Sequence, residues 1–373
     1  MNLKGYILKF GNRDFISYPF NDIDGALFGF LSYANWELYA PSTFDPSQDG
    51  FSFSDLTDSM VDRLVKDTPT PNSHKKLLKA IIKTKRYKNV IAKYIEYKFD
   101  YERKQQYYAM TFDIPFVGSY VSFRGTDLSI LGWEEDFRMA LNIVTNAQSD
   151  SVEYLRKVSK LIDGNFFVGG HSKGGNMALY ASVKVDKKIQ DHIIKVYSLD
   201  GPGFYDNAFL ESESYKNIER KVFQIIPKDS YVGIIFNTPK NYKIVSSRNA
   251  SIFQHIAYSW RVKKDGTFRY KDHRTYMSYV RQRALVKWLE NVSYDDKLLI
   301  IESLVTTLGG RDKTLLFYLK HPTWIGRTFT YWHKKFNKAQ KKLLNKYSRK
   351  LLSCYMSSFF YCLNKNHRKD PIE

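Results

Sequence analysis

The chain has 373 residues, 43% hydrophobic and 16% aromatic, with a formal net charge of +20. That supports one large buried core with appendages and excludes a disordered polyelectrolyte. Cys354 and Cys362 are the only cysteines. A disulfide framework and a cysteine–histidine metal cluster are therefore excluded, and chemistry without metal or cofactor is expected. The opening Met1–Phe10 is broken by charge before any apolar stretch reaches signal-peptide length, and nowhere do eighteen apolar residues run together. A cytoplasmic chain with no transmembrane helix is expected.

In chain order, a short apolar alternation opens the sequence, and residues 22–31 follow as a helix whose apolar spacing suits packing on a core. Residues 41–72, rich in Pro, Ser, Asp and Thr, read as loop with one short helix near Ser59–Val61. Leu77, Leu78, Ile81 and Ile82, then Val90, Ile91, Tyr94 and Ile95, predict two lysine-studded helices between His74 and Tyr101. Residues 105–114 read as a strand pairing with 118–124 across Pro115. Further strands are predicted at 166–168, 193–199, 221–226 and 242–246, with a hairpin through Lys264-Asp265-Gly266. Residues 274–308 return to helix, with Tyr279, Leu285, Trp288 and Leu289 facing inward. The reading divides the chain into an N-terminal region (1–104), a core (105–310) and a tail (311–373).

The most informative stretch is Gly170-His171-Ser172-Lys173-Gly174-Gly175-Asn176, set between the apolar Phe166-Phe167-Val168 and the helix-prone Met177–Ala181. That order is strand, sharp turn, helix. A serine hydroxyl is a poor nucleophile until it is lifted clear of a sheet, given a base and faced with N–H donors, and a Gly-x-Ser-x-Gly turn does the lifting. The alternative is a tight turn that merely contains a serine.

Upstream, Gly118–Phe123 reads as a strand ending in Arg124-Gly125-Thr126-Asp127, followed by Trp133-Glu134-Glu135-Asp136. An apolar strand closing on Phe-Arg-Gly-Thr, a Trp-x-x-Asp, and then a Gly-His-Ser-x-Gly-Gly turn resembles the class 3, fungal-type lipases and their bacterial relatives over residues 105–265. The resemblance implies an α/β-hydrolase core with helical N- and C-terminal additions, and Ser172 as nucleophile. It also implies an oxyanion hole formed by the backbone N–H and hydroxyl of Thr126 and the N–H of Lys173. Fungal members carry an apolar residue at the position of Lys173, so its charge bears on substrate preference. Leu128–Gly132 falls where those lipases carry a mobile lid.

Nucleophile, acid and histidine follow in that chain order in α/β-hydrolases. His192 starts a strand, at the end of the sheet away from Ser172; His273 opens a helical segment; and His321, His333 and His367 lie in the tail. His255 sits where the class 3 pattern places its terminal histidine and is the expected base. For the acid, Asp229 after the strand at 221–226 resembles the class 3 position and is preferred. The alternative is Asp200, which ends another strand and opens Gly201-Pro202-Gly203, where its side chain would cap the turn.

The tail from Arg311 to Glu373 holds fifteen Lys/Arg against three acids. Ile325, Phe329, Trp332, Phe336, Ala339, Leu343 and Tyr347 recur at steps of three and four, opposite a lysine face, and Leu351–Leu363 is free of charge. Such a segment suits an anionic membrane interface or a helix docked on the core, with nucleic acid a lesser alternative. The function expected is hydrolysis of acyl esters, with lipids as the substrate, at the inner face of the membrane. The alternatives are a catalytically inactive binding or scaffold protein at the membrane, and a thioesterase, acyltransferase or small-ester carboxylesterase using the same residues.

Overall fold

The computed structural model describes residues 1–42, 44–127, 129–139, 144–307 and 334–364. Helices α1 (Leu3–Phe10), α2 (Asp22–Leu31), α3 (Asp58–Leu64) and α4 (Pro71–Ile81) precede the main body of the sheet. Nine strands are described: β1 (Phe51–Ser52), β2 (Ile91–Asp100), β3 (Gln105–Ile114), β4 (Gly118–Phe123), β5 (Phe166–His171), β6 (Ile193–Leu199), β7 (Val222–Pro227), β8 (Lys243–Val245) and β9 (Tyr270–Lys271). They form one sheet in sequential order, antiparallel from β1 to β4, parallel from β4 to β8, and antiparallel again at β9. With its flanking helices this is an α/β fold.

Sequential order has a strong consequence. Right-handed crossovers that step one way across a parallel sheet deposit all their helices on the same face. Here these are α5 (Ile130–Met139) and α6 (Asn146–Val158) between β4 and β5, α7 (Lys173–Lys184) and α8 (Lys187–His192) between β5 and β6, and α9 (Asn207–Glu211) and α10 (Glu213–Ile218) before β7. Strand side chains alternate between faces. Val121, Phe123, Phe166, Val168 and Val196 accordingly pack with α6 and α7, while Tyr120, Phe167, Tyr197 and Leu199 face the other way. That second face is covered by the N-terminal helices, through Phe28, Leu27, Leu31 and Tyr6. Of the region before residue 105, β1 and β2 pair into the same sheet as the later strands.

A buried ion pair holds this cover together. The Asp24 carboxylate, which also completes the capping box of α2, accepts from Arg86 Nε at 3.0 Å and from the Tyr87 hydroxyl at 2.6 Å. Both members of the Asp24–Arg86 pair are fully buried. The Arg86 guanidinium lies 4.0 Å over the ring of Phe15.

Two elements differ from the sequence reading. The opening segment is helix, because Leu3, Tyr6, Ile7 and Phe10 are its buried positions, at steps of three, one and three. Residues 91–100 are strand, not helix. The pairing of β2 with β3 shifts between Lys93 and Glu96, and Tyr94 there takes φ 54°. Such a bulge places successive apolar residues on irregular sides and imitates a helical spacing.

Helices α11 (Tyr276–Glu290) and α12 (Tyr294–Thr307) occupy the helical stretch expected over 274–308. The described part of the tail forms α13 (Lys338–Asn364). It docks on α11: the Tyr276 hydroxyl donates to the Phe359 carbonyl at 2.5 Å, Trp288 Nε1 donates to the Tyr347 carbonyl at 2.9 Å, and Cys362 packs with Tyr279 and Val280. Ile325, Phe329, Trp332, His321, His333 and His367 lie outside the described residues. No helix among the described residues is long and apolar enough to cross a membrane.

Candidate active site

Ser172 stands between β5 and α7 at φ 58°, ψ −129°, a conformation that L-residues adopt only under strain. Its N–H donates to the Leu199 carbonyl at 3.0 Å. The flanking glycines permit this turn. A Cβ on Gly170 would lie 2.5 Å from the backbone of Gly174, and one on Gly174 would lie 2.1 Å from the Phe123 carbonyl oxygen. Ser172, His255, Thr126 and Lys173 line one cavity of about 450 Å³, whose wall is largely apolar: Phe30, Trp133, Phe137, Phe236, Ile256 and Tyr258 among others.

His255 belongs to a 3-10 turn, Ser251–His255. Its Nδ1 lies 2.7 Å from Asp200 Oδ2. Asp200 directly follows β6, the strand next to β5, and is fully buried. Its other carboxylate oxygen accepts from the Ser230 hydroxyl at 2.6 Å and from the Gly233 N–H at 3.0 Å. The expectation for Asp229 is corrected here: the acid beside His255 is Asp200. Asp229 follows β7, one strand further from β5, and its carboxylate is turned to α11, where it pairs with Arg281 and accepts from the Thr275 hydroxyl at 2.5 Å. Asp200, far from only capping its turn, bridges the histidine to the 230–233 loop.

His171 supports the same turn from beneath. A carbonyl only accepts, so the 2.9 Å contact between His171 Nε2 and the His255 carbonyl fixes the proton on Nε2. Nδ1 is then free to accept from the Tyr33 hydroxyl at 3.0 Å. Burial, and next the neighbouring His255, push the His171 pKa well below the ordinary imidazole value, so the ring stays neutral. The two imidazoles lie 4.4 Å apart.

Neither the Thr126 nor the Lys173 N–H bonds to a backbone carbonyl among the described residues. Lys173 opens α7, where free N–H groups and the helix dipole favour an anion. The Thr126 hydroxyl, expected to join these donors, instead donates to Asp136 Oδ2 at 2.6 Å. The other Asp136 oxygen is enclosed and has no hydrogen-bond partner. Desolvation is the largest cause that pushes the Asp136 pKa up, to about 6, against the opposing pull of Lys173 and Thr126.

The Lys173 side chain leaves the cavity. Its ammonium is buried and donates to the Gln106 carbonyl and Gln106 Oε1, both at 2.6 Å, and to Glu135 Oε2 at 2.9 Å. Glu135 in turn accepts from the N–H groups of Gln106 and Ala147, each at 3.1 Å. The charge beside the serine is thus neutralised behind the wall. Leu128 lies outside the described residues, and the rest of the expected lid, Ser129–Gly132, opens α5 with Ile130 and Leu131 buried. His192 is at the N-terminal end of β6, bonded to Asn165, and takes no part.

The sequence reading assigned no role to His171, Tyr33 or Asp136. The signal for Asp136 was present in the Trp-x-x-Asp that follows Thr126. For the acid, the signal was adjacency: residues ending the strand beside the serine strand stand nearest the turn that carries His255.

Comparison with curated protein sequences found no match. Among solved structures, M37 lipase is similar at a TM-score of 0.37 and 14% identity, over 58% of this chain and 71% of that one. Residues 81–306 match the Mbeg1-like family, and the chain belongs to that family.

Proposed function

We propose that the protein is a serine hydrolase of α/β-hydrolase type that cleaves acyl esters, with Ser172 as nucleophile, His255 as base and Asp200 as the orienting acid. The observation that carries this reading is the 2.7 Å contact of buried Asp200 with Nδ1 of His255, a residue that lines the same cavity as strained Ser172. Asp200 holds the ring proton on Nδ1 and leaves Nε2 to take the serine proton. Ser172 Oγ then attacks the ester carbonyl, and the developing oxyanion meets the N–H groups of Thr126 and Lys173. The imidazolium returns its proton to the departing alcohol. Water, deprotonated by the same histidine, releases the acid from the acyl-enzyme.

The apolar wall favours a hydrocarbon acyl chain, and burial of the Lys173 ammonium removes the charge that would oppose one. A lipid source fits the outer side of α13, where Leu352, Met356, Phe360 and Leu363 are exposed at steps of four, four and three, beside Lys338, Lys341, Lys342, Lys346 and Lys350. Apolar insertion and lysine attraction add at an anionic lipid surface.

The test is labelling by a fluorophosphonate together with turnover of short-chain esters. The wild-type chain should label stoichiometrically at Ser172, and Ser172→Ala should lose labelling and at least ~10³-fold in turnover. A wild-type chain that neither labels nor turns over a broad ester panel would end the hydrolase reading in favour of a scaffold.

A further inference from the structure

Away from the cavity, three extended segments meet beneath the turn that carries His255. Ser246 accepts from the Arg261 N–H at 2.8 Å and donates to the Arg269 carbonyl at 2.9 Å, while Arg269 donates back to the Arg261 carbonyl at 2.8 Å. Arg248 is held to Ser259 by its own N–H at 2.8 Å. These bonds bring Arg248, Arg261 and Arg269 together, and the hairpin after Val262 adds Lys263 and Lys264. The five cations line a hollow of about 330 Å³ with no carboxylate among its described lining residues.

Such a cluster costs folding free energy through mutual repulsion unless something offsets it. No partner among the described residues does so. Among the described residues none of the five side chains is in a salt bridge or hydrogen bond, and Arg261 Nε is enclosed with no partner at all. Asp265, in the same hairpin, feels Lys263 through space but turns its carboxylate to Thr267. The positive fields also converge on one point. After burial, it is Arg248, Arg261, Arg269 and Lys264 that depress the pKa of the Met1 amino group beside them.

We propose that this hollow binds a dianionic phosphate, carried by a phosphomonoester ligand. Three guanidinium forks offer the paired, planar donors that match phosphate oxygens, and the two ammonium groups add charge without demanding geometry. The hollow is larger than one phosphate needs, which leaves room for the group that bears it. Its place also matters. Arg248 precedes, and Arg261 follows, the segment that holds His255, so an occupant ties together the two ends of that segment. The site stands apart from the serine cavity, with which it shares no lining residue, and it holds whether or not Ser172 is a nucleophile.

The same phosphate chemistry could arrive free in solution or on a lipid headgroup. Calorimetric titration of the full chain with inorganic phosphate, and co-sedimentation with phosphatidylcholine vesicles with or without phosphatidic acid, separate the two. The variant R248A/R269A removes two exposed, unpaired side chains, and K263A/K264A is a second variant in case the first melts early. K160A/K188A removes the same net charge elsewhere. Saturable binding of phosphate at one site, weakened at least ~10-fold in either pocket variant and unchanged in K160A/K188A, is the expected result. If the pocket variants also lose the vesicle binding that depends on phosphatidic acid, and free phosphate competes for it, the ligand is a headgroup. If vesicle binding is unaffected, the ligand is soluble. Absence of saturable phosphate binding by the wild-type chain, or an equal loss in K160A/K188A, overturns the proposal.

Discussion

Replacing Asp200 with asparagine tests the proposed machinery at its most constrained atom. The carboxylate uses one oxygen for His255 and the other for Ser230 and Gly233. An amide has one oxygen and one NH2, so it satisfies only one side. Each unmade buried hydrogen bond costs about 1–3 kcal/mol, so the amide oxygen goes to the two donors at Ser230 and Gly233. Its NH2 then faces His255 Nδ1, which must give up its proton. The ring proton moves to Nε2, the nitrogen that has to receive the serine proton, and the base is lost with little change in packing. By analogy with acid-to-amide changes in other triads, turnover should fall ~10⁴-fold, which at 1.36 kcal/mol per tenfold is about 5.5 kcal/mol of barrier. Asp229→Asn acts elsewhere. It weakens a partly exposed pair with Arg281, costs roughly 1 kcal/mol of stability, and leaves turnover within a few-fold. Initial rates on a soluble short-chain ester, beside thermal melts of both purified variants, decide the matter. A well-folded Asp200→Asn with near wild-type turnover, or an Asp229→Asn as inactive as Asp200→Asn, refutes the reasoning.

Glu135→Gln should destabilise the chain by about 3–5 kcal/mol, because it strands the buried Lys173 ammonium, and urea denaturation of variant and wild type reads this directly. Asp136 carries a pKa raised to about 6 in the folded chain, against 3.8 for an ordinary aspartate. The unfolded chain therefore releases that proton first, and stability should fall as pH rises from about 4 to about 6, by on the order of 2 kcal/mol; Asp136→Asn should remove this limb, and parallel melts across that window check it. Leu352→Asp combined with Phe360→Asp should leave the melting temperature unchanged and cut binding to anionic vesicles about tenfold or more, since each apolar side chain contributes on the order of 1–2 kcal/mol on insertion. A large drop in melting temperature would mean that this side of α13 is core.

The sequence disclosed those features that depend on neighbours in the chain. The strand–Ser172–helix turn is local, as are the pairing of 105–114 with 118–124 and the strands read at 193–199 and 221–226. What it concealed was set at a distance. Asp200 and Asp229 both end parallel strands and look alike in sequence; only the lateral order of β5, β6 and β7 decides which one His255 reaches. The Lys173 charge looked like a feature of the substrate pocket because its partner, Glu135, is 38 residues upstream. The bulge at Lys93–Glu96 broke the two-residue period on which strand recognition rests, and α1 was too short for its helical period to stand out.

The sequential sheet has a consequence for folding. Its second face is covered by helices that come earlier in the chain than most of the strands they pack on. The Met1 backbone closes against Val262, 261 residues away, so this cover is complete only when residue 262 is in place. Contacts of such long range slow folding and leave intermediates open to aggregation.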